Sequence, residues 1–240
     1  MIFKTIEEIT ELALIVTCFY LIFGVYVRRY QPAWSEPLSR RRLTTLLVLI
    51  LVVTAVKVSE DVLGGESGPI DNTILIFIHS HVSNSLTWLF EAVTLTGSSR
   101  ALFPLAAVVA IALMCTKHRS EALLVAASAI SSVIVIYVIK MIVSRARPTL
   151  WDTEWYWGSS FPSGHTLAVA AFATAIVLCV GKIRPTSRNL ALGIAILWIS
   201  LVAVSRLVLG VHWPTDVLVA ACIGAFLPLA INVVLALRGN

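Results

Sequence analysis

The chain is written as long apolar runs separated by short polar breaks. The runs fall near residues 9–27, 43–63, 101–116, 121–143, 164–181, 189–209 and 214–237. Each reaches, or nearly reaches, the ~20 residues a helix needs to cross about 30 Å of hydrocarbon. Between the second and third runs, residues 71–97 are apolar but interrupted by Asp71, His79, His81, Asn84 and Glu91. That stretch predicts one or two amphipathic helices lying at an interface. Residues 1–11 lack the basic start of a cleaved signal peptide. The pattern predicts an all-α fold, a polytopic transmembrane helix bundle.

Composition narrows the class. Of 240 residues, 58% are hydrophobic and only 13% charged, with a mean hydropathy of +0.92. Soluble domains carry about 25% charged residues, so this is an integral membrane protein. Cys18, Cys115, Cys179 and Cys222 all lie inside apolar runs without paired spacing, which argues against disulfides and metal clusters. A pI near 9.2 raises the question of nucleic acid. The basic residues sit at the ends of apolar runs, however, and membrane topology accounts for them without a nucleic-acid partner.

Those residues also orient the bundle. Arg28, Arg29, Arg40, Arg41 and Arg42 crowd the first polar break; Lys117, His118 and Arg119 fill a later one. Lys182, Arg184 and Arg188 fill a third, and Arg238 lies at the C-terminal end. Seven spans put all four groups on one side, which the excess of positive charge makes cytoplasmic. Glu7, Glu8, Glu60, Asp61, Glu66 and Asp71 fall opposite. The N-terminus is then outside and the C-terminus cytoplasmic. Lys140, Arg145, Arg147 and Arg206 break this order by sitting at the outer ends of their spans. Charge at such positions is costly and marks a bound or paired ion, so an anion is expected on the outer face.

Three outer stretches carry the candidate chemistry. In the first, Lys140 and Arg147 are about two helical turns apart and share a face if the helix persists; Pro148 then disfavours helix at Arg147. Two convergent cations suit phosphate, although side chains snorkelling at a span end would look the same. In the second, Pro162-Ser163-Gly164-His165 precedes an apolar run. Gly164 permits close backbone approach, and a helix starting there offers its free N–H groups to an anion. Ser163 serves equally as an ordinary cap or as a donor to a phosphate oxygen. In the third, Gly210 breaks a span and Pro214 suits the first turn of the next. His212 then stands at a helix entrance with Asp216 four residues on. A carboxylate holding one ring nitrogen leaves the other free to attack. Singly, each histidine would also pass as structural. Their convergence on one face, with a carboxylate beside one, suits a nucleophile and a general acid.

Together, Lys140-x6-Arg147-Pro148, Pro162-Ser163-Gly164-His165 and Ser205-Arg206-x5-His212-x3-Asp216 resemble, in order and spacing, the three signatures of the type 2 phosphatidic acid phosphatase (PAP2) superfamily. The resemblance runs from about residue 140 to 216. It implies a metal-independent phosphatase, without cofactor, that works through a phosphohistidine. In that scheme His212 is the nucleophile, Asp216 orients it and His165 protonates the leaving oxygen. Lys140, Arg147, Ser163, Gly164 and Arg206 bind the phosphoryl oxygens. The familiar core has six spans, so residues 1–42 are read as an extra N-terminal span with a basic cytoplasmic loop. Residues 43–240 are read as the catalytic bundle. Many members carry glycine where this chain has Ala220, a departure that bears on helix packing.

The segment between the first two motifs, residues 149–161, is too short to form a covering domain and holds Trp151, Trp155, Tyr156 and Trp157. Such residues favour the headgroup layer. The site therefore opens at headgroup depth, and a phosphorylated membrane lipid is the expected substrate: phosphatidate, phosphatidylglycerophosphate or undecaprenyl diphosphate. His79 and His81 have no third ligand nearby and are read as interfacial helix residues. Three other readings stay open. A lipid phosphotransferase would use the same phosphohistidine. A vanadate-dependent haloperoxidase shares the motifs but is typically soluble. A transporter or lipid-binding protein would need neither histidine nor Asp216. The expected setting is a bacterial inner membrane with the site facing the periplasm.

Overall fold

A computed structural model describes residues 2–31, 42–150 and 158–238. The aromatic residues Trp151, Trp155, Tyr156 and Trp157, and Arg40 and Arg41 of the first basic loop, lie outside the described residues. Nine α-helices occur among those described: α1 (Ile2–Tyr30), α2 (Arg42–Leu63), α3 (Gly68–His81), α4 (Thr87–Thr96), α5 (Ser99–Cys115), α6 (Arg119–Ile142), α7 (Gly164–Ile183), α8 (Arg188–Val208) and α9 (Pro214–Arg238). Among the described residues, six segments are long and apolar enough to cross a membrane: Thr10–Tyr30, Thr87–Cys115, Arg119–Ile142, Gly164–Ile183, Pro185–Val208 and Pro214–Ala236. The chain is an all-helical, multi-pass membrane protein. Each of the seven apolar runs forms a helix. The third run extends further back than its hydropathy alone predicts, because α4 joins α5 in one apolar segment. Extended Ser98 bends the chain between them and accepts a side-chain hydrogen bond from Ala101 N.

Small residues place α7 at the centre. Leu167, Val169, Ala170, Ala171 and Ala175 are fully buried, and α7 packs against α6, α8 and α9. A Cβ built on Gly224 of α9 would lie 2.4 Å from Leu167 O and 2.7 Å from Ala170 Cβ. The two helix backbones therefore touch, as small residues allow in membranes. Ala220, one turn earlier, is also fully buried, and the glycine that sets this close approach is Gly224. Lining the other side of α7, Leu102, Leu124, Val125, Phe172 and Val202 form the main apolar core.

The helices run so that chemistry gathers at one end. The C-terminal ends of α6 and α8 meet the N-terminal ends of α7 and α9, tied by Ser163 N to Asp216 O at 3.2 Å and by Arg147 Nη1 to Val211 O at 2.8 Å. At the opposite end Lys182 Nζ lies 3.5 Å from Glu121 Oε1. Helix α1 packs on α2, where Lys57 donates to Glu11 at 3.2 Å, and much of its apolar surface stays exposed.

Candidate active site

The turn after α8 is set by Gly210. Its φ of +64° is left-handed, a conformation glycine adopts without steric cost. Gly210 N donates to Leu207 O at 2.9 Å and Val211 N to Arg206 O at 3.2 Å, the paired bonds of a Schellman ending. The chain reverses, and Pro214 opens α9 two residues after His212. Both Arg206, 1% exposed, and His212, 2% exposed, are thereby turned inward beside fully buried Asp216.

The histidine has a defined orientation. Nδ1 faces Asp216 Oδ2 at 3.6 Å, and that oxygen accepts a hydrogen bond from Trp213 N at 2.9 Å. On the other side Nε2 lies 3.5 Å from Arg147 Nη1. The carboxylate thus faces one nitrogen, just beyond hydrogen-bond distance, while the other points at the cations. Burial pushes the imidazole down to about 4, with Arg206 and Arg147 adding to the fall and Asp216 opposing it. A pKa this low favours the neutral ring at neutral pH.

The cations converge by a route the sequence reading did not foresee. Helix α6 ends at Ile142 with Val143 extended, so Lys140 and Arg147 do not share a helical face. Arg147 instead follows on non-helical chain that folds back, and Lys140 Nζ and Arg147 Nη2 both donate to Ser159 O, the latter at 3.4 Å. Ser159 was not singled out by the motifs. Its hydroxyl also accepts from Arg145 N and Phe161 N, each at 3.2 Å. The run Gly158-Ser159-Ser160 was its only trace in the sequence. Arg206 Nη1 donates to Thr94 Oγ1 of α4 at 2.7 Å, a second partner that no motif indicates.

Ser163 caps α7 through its backbone alone. Its hydroxyl makes no cap bond and pairs with Thr166 Oγ1 at 3.1 Å. Gly164 and His165 form the first turn behind it. His165 lies in the field of Arg206, His212, Lys140 and Arg147, so all eight residues named from the motifs gather at one place. A cavity of about 680 Å³ opens from it, with Lys140, Gly158, Ser159, Gly164 and His165 at the polar end. The remainder is mostly apolar, with Leu102, Phe103, Val133, Ile136 and Phe172 among its lining and Ser99, Ser132 and Tyr137 as its polar side chains. His79 and His81 are exposed at the end of α3, and among the described residues no three His, Cys, Asp or Glu side chains are grouped to hold a metal.

Asp71 corrects one expectation. It was read as one of the acidic residues of the outer surface, yet it is fully buried. Its Oδ2 accepts from Arg145 Nη2 at 2.6 Å and from Thr215 Oγ1 at 2.7 Å, and its Oδ1 from Thr215 N at 3.0 Å. The anion expected near Arg145 is supplied by the protein itself. The signal was a lone aspartate within an apolar stretch.

Fold and site define a multi-pass membrane protein with a buried imidazole–carboxylate pair facing a basic cluster at the mouth of an apolar cavity. Residues 121–238 match the PAP2 superfamily, and this part of the chain belongs to it. Phosphatidylglycerophosphatase B of Escherichia coli (strain K12) is 44% identical over 73 residues, 30% of this chain and 27% of that protein. Decaprenylphosphoryl-5-phosphoribose phosphatase of Mycolicibacterium smegmatis is 38% identical over 84 residues, 33% of this chain and 41% of that protein. The matched segment thus spans well under half the length of these relatives. Among solved structures, a transmembrane PAP2-type phosphatidylglycerolphosphate phosphatase of Bacillus subtilis superposes with a TM-score of 0.68 at 23% identity, covering 80% of this chain and 94% of that one. Aquifex aeolicus LpxE gives 0.57 at 21%, covering 68% and 94%.

Proposed function

We propose that the protein hydrolyses a phosphate or diphosphate ester of a membrane lipid through a phosphohistidine on His212, without a metal. The observation that carries this reading is the orientation of His212, with Nδ1 toward Asp216 and Nε2 toward Arg147. In the first step Nε2 bonds to phosphorus while the bond to the lipid oxygen breaks, and His165 gives that oxygen its proton. Water then attacks phosphorus, returns a proton to His165 and frees His212 and inorganic phosphate. Lys140, Arg147, Arg206 and the start of α7 neutralise the charge that builds on the phosphoryl oxygens. Such esters are among the slowest to hydrolyse unaided, so charge stabilisation and positioning must supply most of the acceleration.

The cavity supports a lipid. Its polar end meets the site, and its apolar length lies among α5, α6 and α7, where an acyl or prenyl chain fits. The relatives' names also describe phosphatases of lipid-borne phosphate. Residues 43–240 form the catalytic bundle in this reading and residues 1–42 an added N-terminal span, in a bacterial inner membrane with the C-terminus cytoplasmic. The decisive experiment measures phosphate release by purified protein, in EDTA, from phosphatidate, phosphatidylglycerophosphate and undecaprenyl diphosphate. Release from at least one is expected, with His212→Ala losing it while remaining folded. Undiminished steady-state release by His212→Ala would sink the phosphohistidine; activity that needs added metal would sink metal independence.

A further inference from the structure

Arg145 stands between two carboxylates that solvent does not reach. Its Nη1 donates to Asp216 Oδ1 and, at 2.8 Å, to Thr215 Oγ1. Its Nη2 donates to Asp71 Oδ2 at 2.6 Å and to Ser67 Oγ at 3.0 Å. Asp71 and Asp216 are each 0% exposed. The guanidinium also lies over the Trp213 ring, 5.6 Å from its centroid, and Trp213 Nε1 donates to Ala146 O at 2.9 Å. Both terminal nitrogens of Arg145 are thus engaged, and the segment carrying it is pinned to the turn that carries His212.

We propose that Asp71, which lies upstream of the residues matched by the family model, is a positioning residue for the nucleophile and acts through Arg145 and Asp216. This rests on the reading of His212 as nucleophile given above. Two carboxylates share one guanidinium, so the trio keeps one net negative charge. When Nε2 bonds to phosphorus with a proton still on Nδ1, the ring becomes cationic, and the charge on Asp216 is what balances it. Without Asp71, Arg145 would be balanced by Asp216 alone. The trio would then be neutral, and the guanidinium free to turn and claim both oxygens of Asp216, including the one that faces Nδ1. A buried charge stripped of one partner seeks another. Asp71 holds Nη2 on the far side and leaves Asp216 Oδ2 to His212.

The test is a double-mutant cycle on the full-length detergent-solubilised protein, using the best lipid phosphate from the release assay. Asp71→Asn keeps the side-chain size and removes the charge. It should lower kcat on the order of 10–100-fold, the usual cost of losing an outer-shell partner, with KM unchanged. In an Asp216→Asn background, measured by single turnover, the same change should cost nothing further, because residues that act as one unit are not additive. Thr215→Val keeps the shape, removes the hydroxyl shared by Asp71 and Arg145, and guards against misfolding of Asp71→Asn. It should show a smaller loss that also vanishes in the Asp216→Asn background. Equal losses in both backgrounds, or wild-type kcat in Asp71→Asn, would overturn the positioning role while leaving the functional reading intact. Full turnover by His212→Ala would overturn the functional reading, and this role with it.

Discussion

His212 is shaped by which way its two nitrogens face. Burial holds its pKa near 4, below the ordinary value of about 6.5, so the ring stays neutral over the whole range in which a free histidine would take up a proton. On the proposed mechanism, protonation should remove the nucleophile only below about pH 4. The acid limb of kcat/KM should therefore lie near 4, measured with substrates whose own phosphate ionises at different pH. A limb centred near 6.5 that does not move with the substrate would show an unburied histidine instead. His165 is argued from a different property. As general acid it matters most for poor leaving groups, so His165→Ala should cost far more with an alkyl phosphate than with p-nitrophenyl phosphate. Equal losses would remove that role. These residues were legible in the sequence because polar, titratable groups beside apolar runs are expensive and stand out. The partners Asp71, Thr94 and Ser159 were not. Asp71 meets Arg145 across 74 positions of sequence, and such a pairing exists only once α3 has packed against the start of α9.

At the scale of helices, the apolar runs gave approximate place, because a bilayer demands length and hydrophobicity alone. The number of spans differs, seven runs against six segments among the described residues. Where a helix stops is a matter of local backbone, and there the reading was mixed. Gly210 and Pro214 mark their turn correctly. Lys140 and Arg147 were placed on one helical face, but α6 ends five residues before Arg147, and convergence is achieved by the carbonyl of Ser159. The close approach of α7 and α9 at Gly224 had no counterpart in the sequence reading, which noted only Ala220 as a departure bearing on helix packing. That seam makes a sharp prediction. Gly224→Ala puts a methyl group against backbone at Leu167; overpacking of this kind costs about 1–3 kcal/mol. The loss should outweigh the ~1 kcal/mol that alanine gains over glycine in a helix. At Gly193 of α8 a Cβ meets nothing within 4 Å, so Gly193→Ala should not destabilise. Thermal unfolding in detergent compares the two; a Gly224→Ala protein as stable as Gly193→Ala would mean that the helices do not touch there.

At the scale of the whole molecule the question is which way the site faces. Arg119 and Lys182 stand at the end of the bundle opposite His212, together with Lys117 and Arg188 at the adjoining helix ends. A membrane protein keeps such an excess of positive charge on the cytoplasmic side, so the site end is proposed to face the periplasm. The basic residues at the site end do not weigh equally against this. Arg145 is matched by Asp71 and Asp216, Arg206 is buried, and Lys140 and Arg147 are held by Ser159 O. Arg145 is thus neutralised within the protein, and the other three face the proposed phosphate site, so none of them is free loop charge. The α1 span does not enter the argument, since the later loops flank the site helices directly. Single cysteines at Thr149 and Thr186, both exposed and at opposite ends of the bundle, test it in a background lacking the four native cysteines. An impermeant maleimide applied to intact spheroplasts should label position 149 and spare position 186, with both labelled after the membrane is opened. Labelling of position 186 alone would put the site in the cytoplasm and confine the enzyme to lipids of the inner leaflet.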